Sequence, residues 1–384
     1  MNGSISPRVL HVAEANVGGV SSYLQEIISF QTETLGADNL RVLVPRDQAT
    51  GLGDIDPATL LCYERTGRNL RSLLSLSLAL VRALRTFRPT VVHLHSTFAG
   101  AIARPMILLQ RPRPRVVYCA HGWSFLMDIA PWKQQVYLGV ERALARITDV
   151  VVNISRYEDQ QAKARGICAA KCVVVRNAVS PASPSGIAQI PFDPAKINLL
   201  FVGRFDRQKG LDLLARAMTR VPDLPLHLYV IGSGFHDNHT PEPAPNVTLL
   251  GWRPRAMLDD YYAAADAVVM PSRWEGFGLV AVEAMRNRTA VLASNRGALP
   301  ELISEGETGR LFELDEDHLD DLVRVLRGLD KDELRRMGEA AHQHYQRYFT
   351  ADLLNRSLLE IYAALHERQP ARELHLRLSR SNPA

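Results

Sequence analysis

Apolar positions along the chain fall into two alternating patterns. Short, continuous runs rich in β-branched residues, Arg8–Ala13, Leu40–Val44, Thr90–His95, Arg115–Ala120, Asp149–Ile154 and Cys172–Val175, read as strands buried on both faces. Between them, Val20–Leu35, Leu70–Phe87 and Ala99–Leu109 place apolar residues at helical spacing. In Leu70–Phe87 the pattern predicts an amphipathic helix with Leu70, Leu73, Leu74, Val81, Leu84 and Phe87 on or near one face. The proline- and serine-rich stretch SPASPSGIAQIPFDP (180–194) then breaks all periodicity. After it the alternation restarts, with strands predicted at Ile197–Val202, Leu226–Ile231, Val247–Leu250, Ala267–Met270 and Ala290–Ala293. Helices are predicted at Gly210–Ala217, Met257–Ala264 and Leu279–Met285, and from Glu316 onward the pattern is helical.

Strands alternating with helices need crossover connections, and hence parallel sheets covered on both faces. The fold class read from this is α/β: two doubly wound, Rossmann-like parallel-sheet domains facing a central cleft. The expected boundaries are residues 1–180, a linker at 181–194, a second domain at 195–350 and a helical tail at 351–384. Part of that tail, Leu353–Leu365, is expected to pack back on the first domain. Ligands of such folds bind at the carboxyl ends of the strands.

Composition narrows the setting. Of 384 residues, 46% are hydrophobic and 22% charged, which excludes a disordered or fibrous chain. Four cysteines are too few for a disulfide scaffold in this length, so a reduced, cytoplasmic environment is expected. The opening MNGSISPRVLHV lacks a basic head followed by an apolar core. The longest apolar run, Ser72–Val81, spans about half of the roughly twenty residues that a membrane crossing needs. Charge is unevenly spread: residues 1–180 carry 21 Lys+Arg against 13 Asp+Glu, and the remainder 24 against 28. A basic first half suits an anionic partner such as nucleic acid, a phosphorylated acceptor or an anionic membrane face.

Three segments carry candidate chemistry. EANVGGV (14–20) puts Gly18 and Gly19 between a strand and a helix, where bare backbone can approach a ligand and a helix N-terminus offers positive potential. VGRFDRQKG (202–210) places Arg204 and Lys209 after a strand, a fork of donors and a point charge suited to a diphosphate. Gly232 follows the next strand and is expected to line the same cleft. PSRWEGFGLVAVE (271–283) sets Glu275 and Glu283 eight residues apart around Gly276, Phe277 and Gly278, with a helix starting near Leu279. The amides of Gly278, Leu279 and Val280 are placed to cradle a phosphate, and carboxylates read sugar hydroxyls well. Metal chemistry is weakly signalled. Asp54–Asp56 and Asp315–Asp317 match D-x-D but lie away from the predicted cleft. His93 and His95 share a strand face without a third ligand, so they read as structural.

With Gly18–Gly19, His121–Gly122, Val202–Gly210 and the E-x7-E element of Pro271–Glu283, the chain resembles the retaining GT-B glycosyltransferases of family four. NRGALPE (295–301) and GETGRL (306–311) resemble further landmarks of that family, and the resemblance covers nearly the whole chain. It implies that Arg204 and Lys209 bind the donor diphosphate, Glu275 the transferred sugar and Glu283 the ribose. Gly18 and Gly19 would let the N-terminal loop close on the donor, and His121 would lie beside the anomeric centre. The implied catalytic group is thus His121, Arg204, Lys209 and Glu275. The implied donor contacts are Gly18, Gly19, Arg204, Lys209, Gly232, Gly276, Phe277, Gly278, Leu279, Val280 and Glu283.

The expected substrates are a nucleotide sugar (a UDP-sugar or GDP-mannose) and a glycan or polyprenyl-diphosphate-linked acceptor in surface polysaccharide assembly. No metal, no other cofactor and no nucleic acid are expected. Arg65, Arg68, Arg71, Arg82 and Arg85, on or near one amphipathic helix, suggest peripheral contact with the inner face of the cytoplasmic membrane. Two further readings stay open: a nucleotide-sugar epimerase or soluble-acceptor synthase on the same fold, and a non-catalytic nucleotide-sugar-binding protein.

Overall fold

The computed structural model describes residues 6–53, 55–183, 186, 190–234 and 244–367. The chain divides into two compact units, one formed by residues 1–178 with 351–384 and the other by 179–350.

The first unit holds seven parallel strands: β1 (Val9–Ala13), β2 (Leu40–Pro45), β3 (Leu60–Tyr63), β4 (Val91–His95), β5 (Arg115–Cys119), β6 (Val150–Asn153) and β7 (Cys172–Val174). Their order, β3-β2-β1-β4-β5-β6-β7, reverses between β1 and β4. All five residues of β1 and of β4 are buried, as expected of central strands covered on both faces. Helices α1 (Gly19–Leu35), α2 (Leu70–Phe87), α3 (Thr97–Leu108), α4 (Pro131–Ala145) and α5 (Arg156–Ala164) make the crossovers.

The second unit repeats the plan with β8 (Ile197–Val202), β9 (Leu226–Ile231), β10 (Val247–Gly251), β11 (Ala267–Met270), β12 (Ala290–Ser294) and β13 (Gly309–Phe312). The parallel order β10-β9-β8-β11-β12-β13 reverses between β8 and β11. Its helices are α6 (Leu211–Thr219), α7 (Arg255–Ala264), α8 (Leu279–Arg286), α9 (Asp320–Arg327) and α10 (Lys331–Tyr348). The chain then returns to the first unit, where α11 (Ala351–His366) packs on α1 and β4. Asn355 Nδ2 on α11 donates to the Glu26 carbonyl of α1 at 2.8 Å.

Several expectations need correction. Strands β3 and β13 and helices α4 and α5 were not foreseen. Residues 315–319 form a turn rather than the start of the helical tail, because Asp315 Oδ1 accepts from the amides of Asp317 and His318. The stretch expected as a linker is tied to the second unit, Ser183 N donating to Asp259 and Tyr229 Oη donating to the Pro191 carbonyl. Helix α2 has the expected bounds, with Asn69 capping it through the Ser72 amide, but of the expected apolar face it buries only Leu84 and Phe87. It buries Leu76, Leu80, Ala83, Leu84 and Phe87, while Leu70, Leu74 and Leu78 are 71%, 55% and 72% exposed.

That burial predicts unequal costs of truncation on one helix. Leu80→Ala should destabilise the first unit by about 2–5 kcal/mol in denaturant titrations, as core deletions do. Leu78→Ala should stay within about 0.5 kcal/mol. Equal losses would mean that the inward face is misassigned.

Candidate active site

Doubly wound sheets bind ligands where the strand order reverses, because the connections leaving the two neighbouring strands run to opposite faces and open a crevice. In the second unit that point lies between β8 and β11, and the loops leaving their carboxyl ends carry most of the singled-out residues. After β8, Arg204 is exposed, with Nη2 2.8 Å from Asp206 Oδ2 and 3.2 Å from Gln208 Oε1. Lys209 is mostly buried, and its Nζ donates to Glu275 Oε2 at 2.6 Å. The two loops are also stitched by backbone. Gln208 Nε2 donates to the Trp274 carbonyl at 3.1 Å, and the Arg273 amide donates to the Gln208 carbonyl at 2.8 Å.

Glycine makes this approach possible. A Cβ at Gly210 would stand 2.0 Å from the Pro271 carbonyl oxygen, and one at Gly297 would stand 2.2 Å from that of Glu275. Neither position accepts a side chain without moving a loop. The NRGALPE segment thereby buttresses the Glu275 loop, with the Ala298 amide donating to the Glu275 carbonyl at 3.0 Å. Gly232 packs on the same cluster, directly against the Gly203 carbonyl.

Gly276 continues the loop, and Gly278 caps α8 without any side-chain hydrogen bond, so the amides of the first turn, including Leu279 and Val280, have no cap from a side chain. Phe277 is buried and packs edge-on against Phe349 at 6.0 Å, so its side chain anchors the loop and its backbone is the part left to face a ligand. Glu283 is buried and accepts from the Tyr262 hydroxyl at 2.9 Å. Burial pushes its carboxyl above the usual range, against the pull of Arg255 and Arg286.

In the first unit the reversal lies between β1 and β4. Gly18 caps α1 without a side-chain bond, and Gly19 is the first residue of that helix. His121 follows β5 with a positive φ of 54°, beside Gly122 at 110°. It does not stand alone. His11, His93 and His95 are fully buried on β1 and β4, where His11 faces His93 in register. His11 Nδ1 lies 3.0 Å from His95 Nε2, and His95 Nδ1 lies 2.9 Å from His121 Nε2. His11 Nε2 lies 2.9 Å from Gln31 Oε1, and His93 Nδ1 lies 2.7 Å from the Tyr362 hydroxyl.

The view that His93 and His95 lack a third imidazole is therefore overturned: one ring nitrogen each from His11, His93 and His95 lies within 4.8 Å of the others. His11 escaped notice because it sits inside an otherwise apolar strand. Burial lowers His11 to about 4 and His121 to about 3, and holds His93 and His95 well below their ordinary value with help from neighbouring rings.

The D-x-D candidates have local duties. Asp56 accepts from the Ala58 amide at 2.8 Å, Asp315 serves the turn described above, and Asp54 lies outside the described residues. Of the basic residues assigned to an outward face, Arg65 pairs with buried Glu14 at 3.1 Å, and Arg68 lies 3.6 Å from the same carboxylate. Arg71, Arg82 and Arg85 are exposed on α2.

Both units are thus doubly wound α/β domains, and the second presents a lysine–carboxylate contact beside an open helix N-terminus where its strand order reverses. Residues 196–329 match the family described as glycosyl transferases group 1, and residues 18–178 the glycosyl transferase 4-like domain. The chain belongs to this glycosyltransferase family. It is 38% identical over 318 residues to an uncharacterized 41.2 kDa protein in the cps region of Klebsiella pneumoniae, covering 80% of this chain and 86% of that one. Among solved structures it shares the fold of sucrose-phosphate synthase from Thermosynechococcus elongatus, with TM-score 0.75, 19% identity, and coverage of 94% and 100%. It likewise shares the fold of Anabaena HepE in complex with UDP, with TM-score 0.73, 18% identity, and coverage of 93% and 100%.

The buried imidazoles make stability depend on pH with a definite sign. Each is neutral when folded and takes up a proton near 6.5 when unfolded, so its contribution is complete above 6.5 and is lost as pH falls toward 4. Each ring should cost roughly 1 kcal/mol per pH unit in that window. Denaturation between pH 7 and 5.5 should show this loss, and His11→Gln should flatten the slope by about one proton. A flat wild-type profile would contradict the neutral cluster.

Proposed function

We propose that this protein transfers a sugar from a nucleoside-diphosphate sugar to a hydroxyl of a glycan or lipid-linked acceptor during surface polysaccharide assembly, with retention of anomeric configuration. The observation that carries the reading is the 2.6 Å contact between Lys209 Nζ and Glu275 Oε2 at the reversal point of the second sheet. Breaking a glycosyl–diphosphate bond builds negative charge on the departing diphosphate and positive charge on the sugar. Lys209 and Arg204, with the amides of the α8 N-terminus, stabilise the former, and such preorganised charge is usually the largest catalytic contribution. Arg204 reaches the phosphate by leaving Asp206, which its exposure permits. Glu275 accepts from sugar hydroxyls and Glu283 from the ribose, while His121 borders the anomeric carbon.

The diphosphate's own oxygen serves as base toward an acceptor entering on the same face, which gives retention. The fixed cations do the work of a divalent metal, so the reaction is read as metal-independent. HepE, which shares the fold, is solved with UDP, which favours a uridine nucleotide donor here. The relative encoded in a cps region favours polysaccharide assembly.

On the acceptor side, the corrected face of α2 supports a lipid-linked substrate. Leu70, Leu74 and Leu78 point outward among Arg71, Arg82 and Arg85. Helix α4, which packs on α3 as α2 does, exposes Val136, Val140 and Trp132, the last at 65%, with Lys133 beside it. Among the described residues no helix is long and apolar enough to cross a membrane. Apolar side chains rimmed by arginine suit the interface of an anionic bilayer instead.

Lys209→Ala and Glu275→Gln should each lower turnover of a nucleotide sugar by about 10²-fold or more, the usual cost of a lost transition-state contact. Wild-type rates in either variant would remove that residue from the site. The protein should sediment with phosphatidylglycerol vesicles at low salt, and Arg82→Glu with Arg85→Glu should weaken this by about tenfold or more. Equal binding to neutral phosphatidylcholine vesicles would defeat the membrane part.

A further inference from the structure

The first unit contains a hydrogen-bonded file of side chains, Gln31, His11, His95 and His121, of which the transfer reaction as described uses only the last. Three contacts join them, at 2.9, 3.0 and 2.9 Å. All but His121 are fully buried, and the His121 Nδ1 atom at the end of the file has no hydrogen-bond partner. In a neutral imidazole one ring nitrogen donates and the other accepts, so the proton position on one ring dictates that on the next. The file begins at an amide oxygen, which only accepts.

His11 therefore carries its proton on Nε2 and accepts at Nδ1 from His95 Nε2–H. His95 Nδ1 then accepts from His121 Nε2–H, and His121 ends with an unpaired lone pair at Nδ1.

We propose that Gln31, His11 and His95 are positioning residues that hold His121 as a neutral imidazole in the Nε2–H tautomer and pin the ring in its left-handed turn. Burial favours the neutral form of all three rings, which supports the geometric argument. The purpose rests on the proposed glycosyl transfer, in which positive charge develops on the sugar carbon. An imidazolium at that place would oppose the developing charge, whereas a neutral ring with an open lone pair accepts from a sugar hydroxyl. The positive φ of His121 is an unfavourable conformation for a residue with a side chain, and a ring tied at Nε2 keeps the turn from relaxing.

The test uses the whole protein with 15N-labelled histidine, assigning His121 by loss of its signals in His121→Gln. In the wild type, the Nδ1 signal of His121 should lie at the unprotonated position and Nε2 at the protonated one. Gln31→Met leaves His11 Nε2 without an acceptor, so the whole file should reverse and move the proton of His121 to Nδ1. Gln31→Glu, which again only accepts, should restore the wild-type pattern. In turnover assays, Gln31→Met should lower kcat about tenfold or more while the donor KM changes less than about twofold, and Gln31→Glu should recover most of the loss.

A wild-type His121 protonated at Nδ1, or unchanged signals in Gln31→Met, overturns the file whatever the activity. So does a stoichiometric metal that survives dialysis, because it would occupy the nitrogens that the hydrogen bonds require. Reversal of the tautomer with unaltered kcat keeps the file but removes its role in transfer. Absence of any transferase activity with the predicted tautomer in place marks a failure of the proposed function alone. If Gln31→Met does not fold, the wild-type spectrum still decides.

Discussion

The contact between Lys209 and Glu275 is the point on which the proposed chemistry of the second unit depends. It joins residues 66 positions apart, and it exists only because β8 and β11 are neighbours at the place where the sheet changes direction. Gly210 removes a side chain that would wedge the two loops apart, and Gln208 ties them by a side-chain and a backbone bond. Gly297 lets the segment after β12 close on the Glu275 loop, and Phe277 anchors that loop by burying itself against Phe349. A mostly buried lysine needs a partner, and Glu275 supplies it. In the proposed transfer the pair holds this cation in place for the donor diphosphate.

The first unit solves the opposite problem. Its central strands carry histidines where apolar residues would be expected, and the rings join Gln31 and Tyr362 in a buried hydrogen-bonded cluster that is left open at His121 Nδ1. The same unit turns leucines and arginines outward on α2, so the surface that looks wasteful for packing has a reason in the proposed acceptor.

Much of the fold was legible in the sequence, because continuous apolar runs and helical periodicity report burial on two faces or on one stripe. The bounds of α2 follow from its period and from Asn69 at its cap. Its inward face does not, since leucines recur on both sides and only the neighbouring strands decide which are covered. Short elements such as β3 and β13 lack enough residues for a period. In the candidate site, the residue types and spacing around Arg204, Lys209, Glu275 and Glu283 pointed to phosphate and hydroxyl chemistry. Their partners did not: Glu275 beside Lys209, Tyr262 on Glu283, and Arg204 on Asp206 depend on loop-to-loop contact. His11 was hidden for a related reason. A single polar residue in an apolar strand gains meaning only when the neighbouring strand, in register, brings His93 opposite it.

The most direct test of the central claim is calorimetric binding of UDP and of UDP-glucose to the wild type, Lys209→Ala and Glu275→Gln. If the pair divides the donor as described, Lys209→Ala weakens both ligands, whereas Glu275→Gln weakens UDP-glucose and leaves UDP nearly untouched. Wild-type affinity for both ligands in both variants would contradict the account.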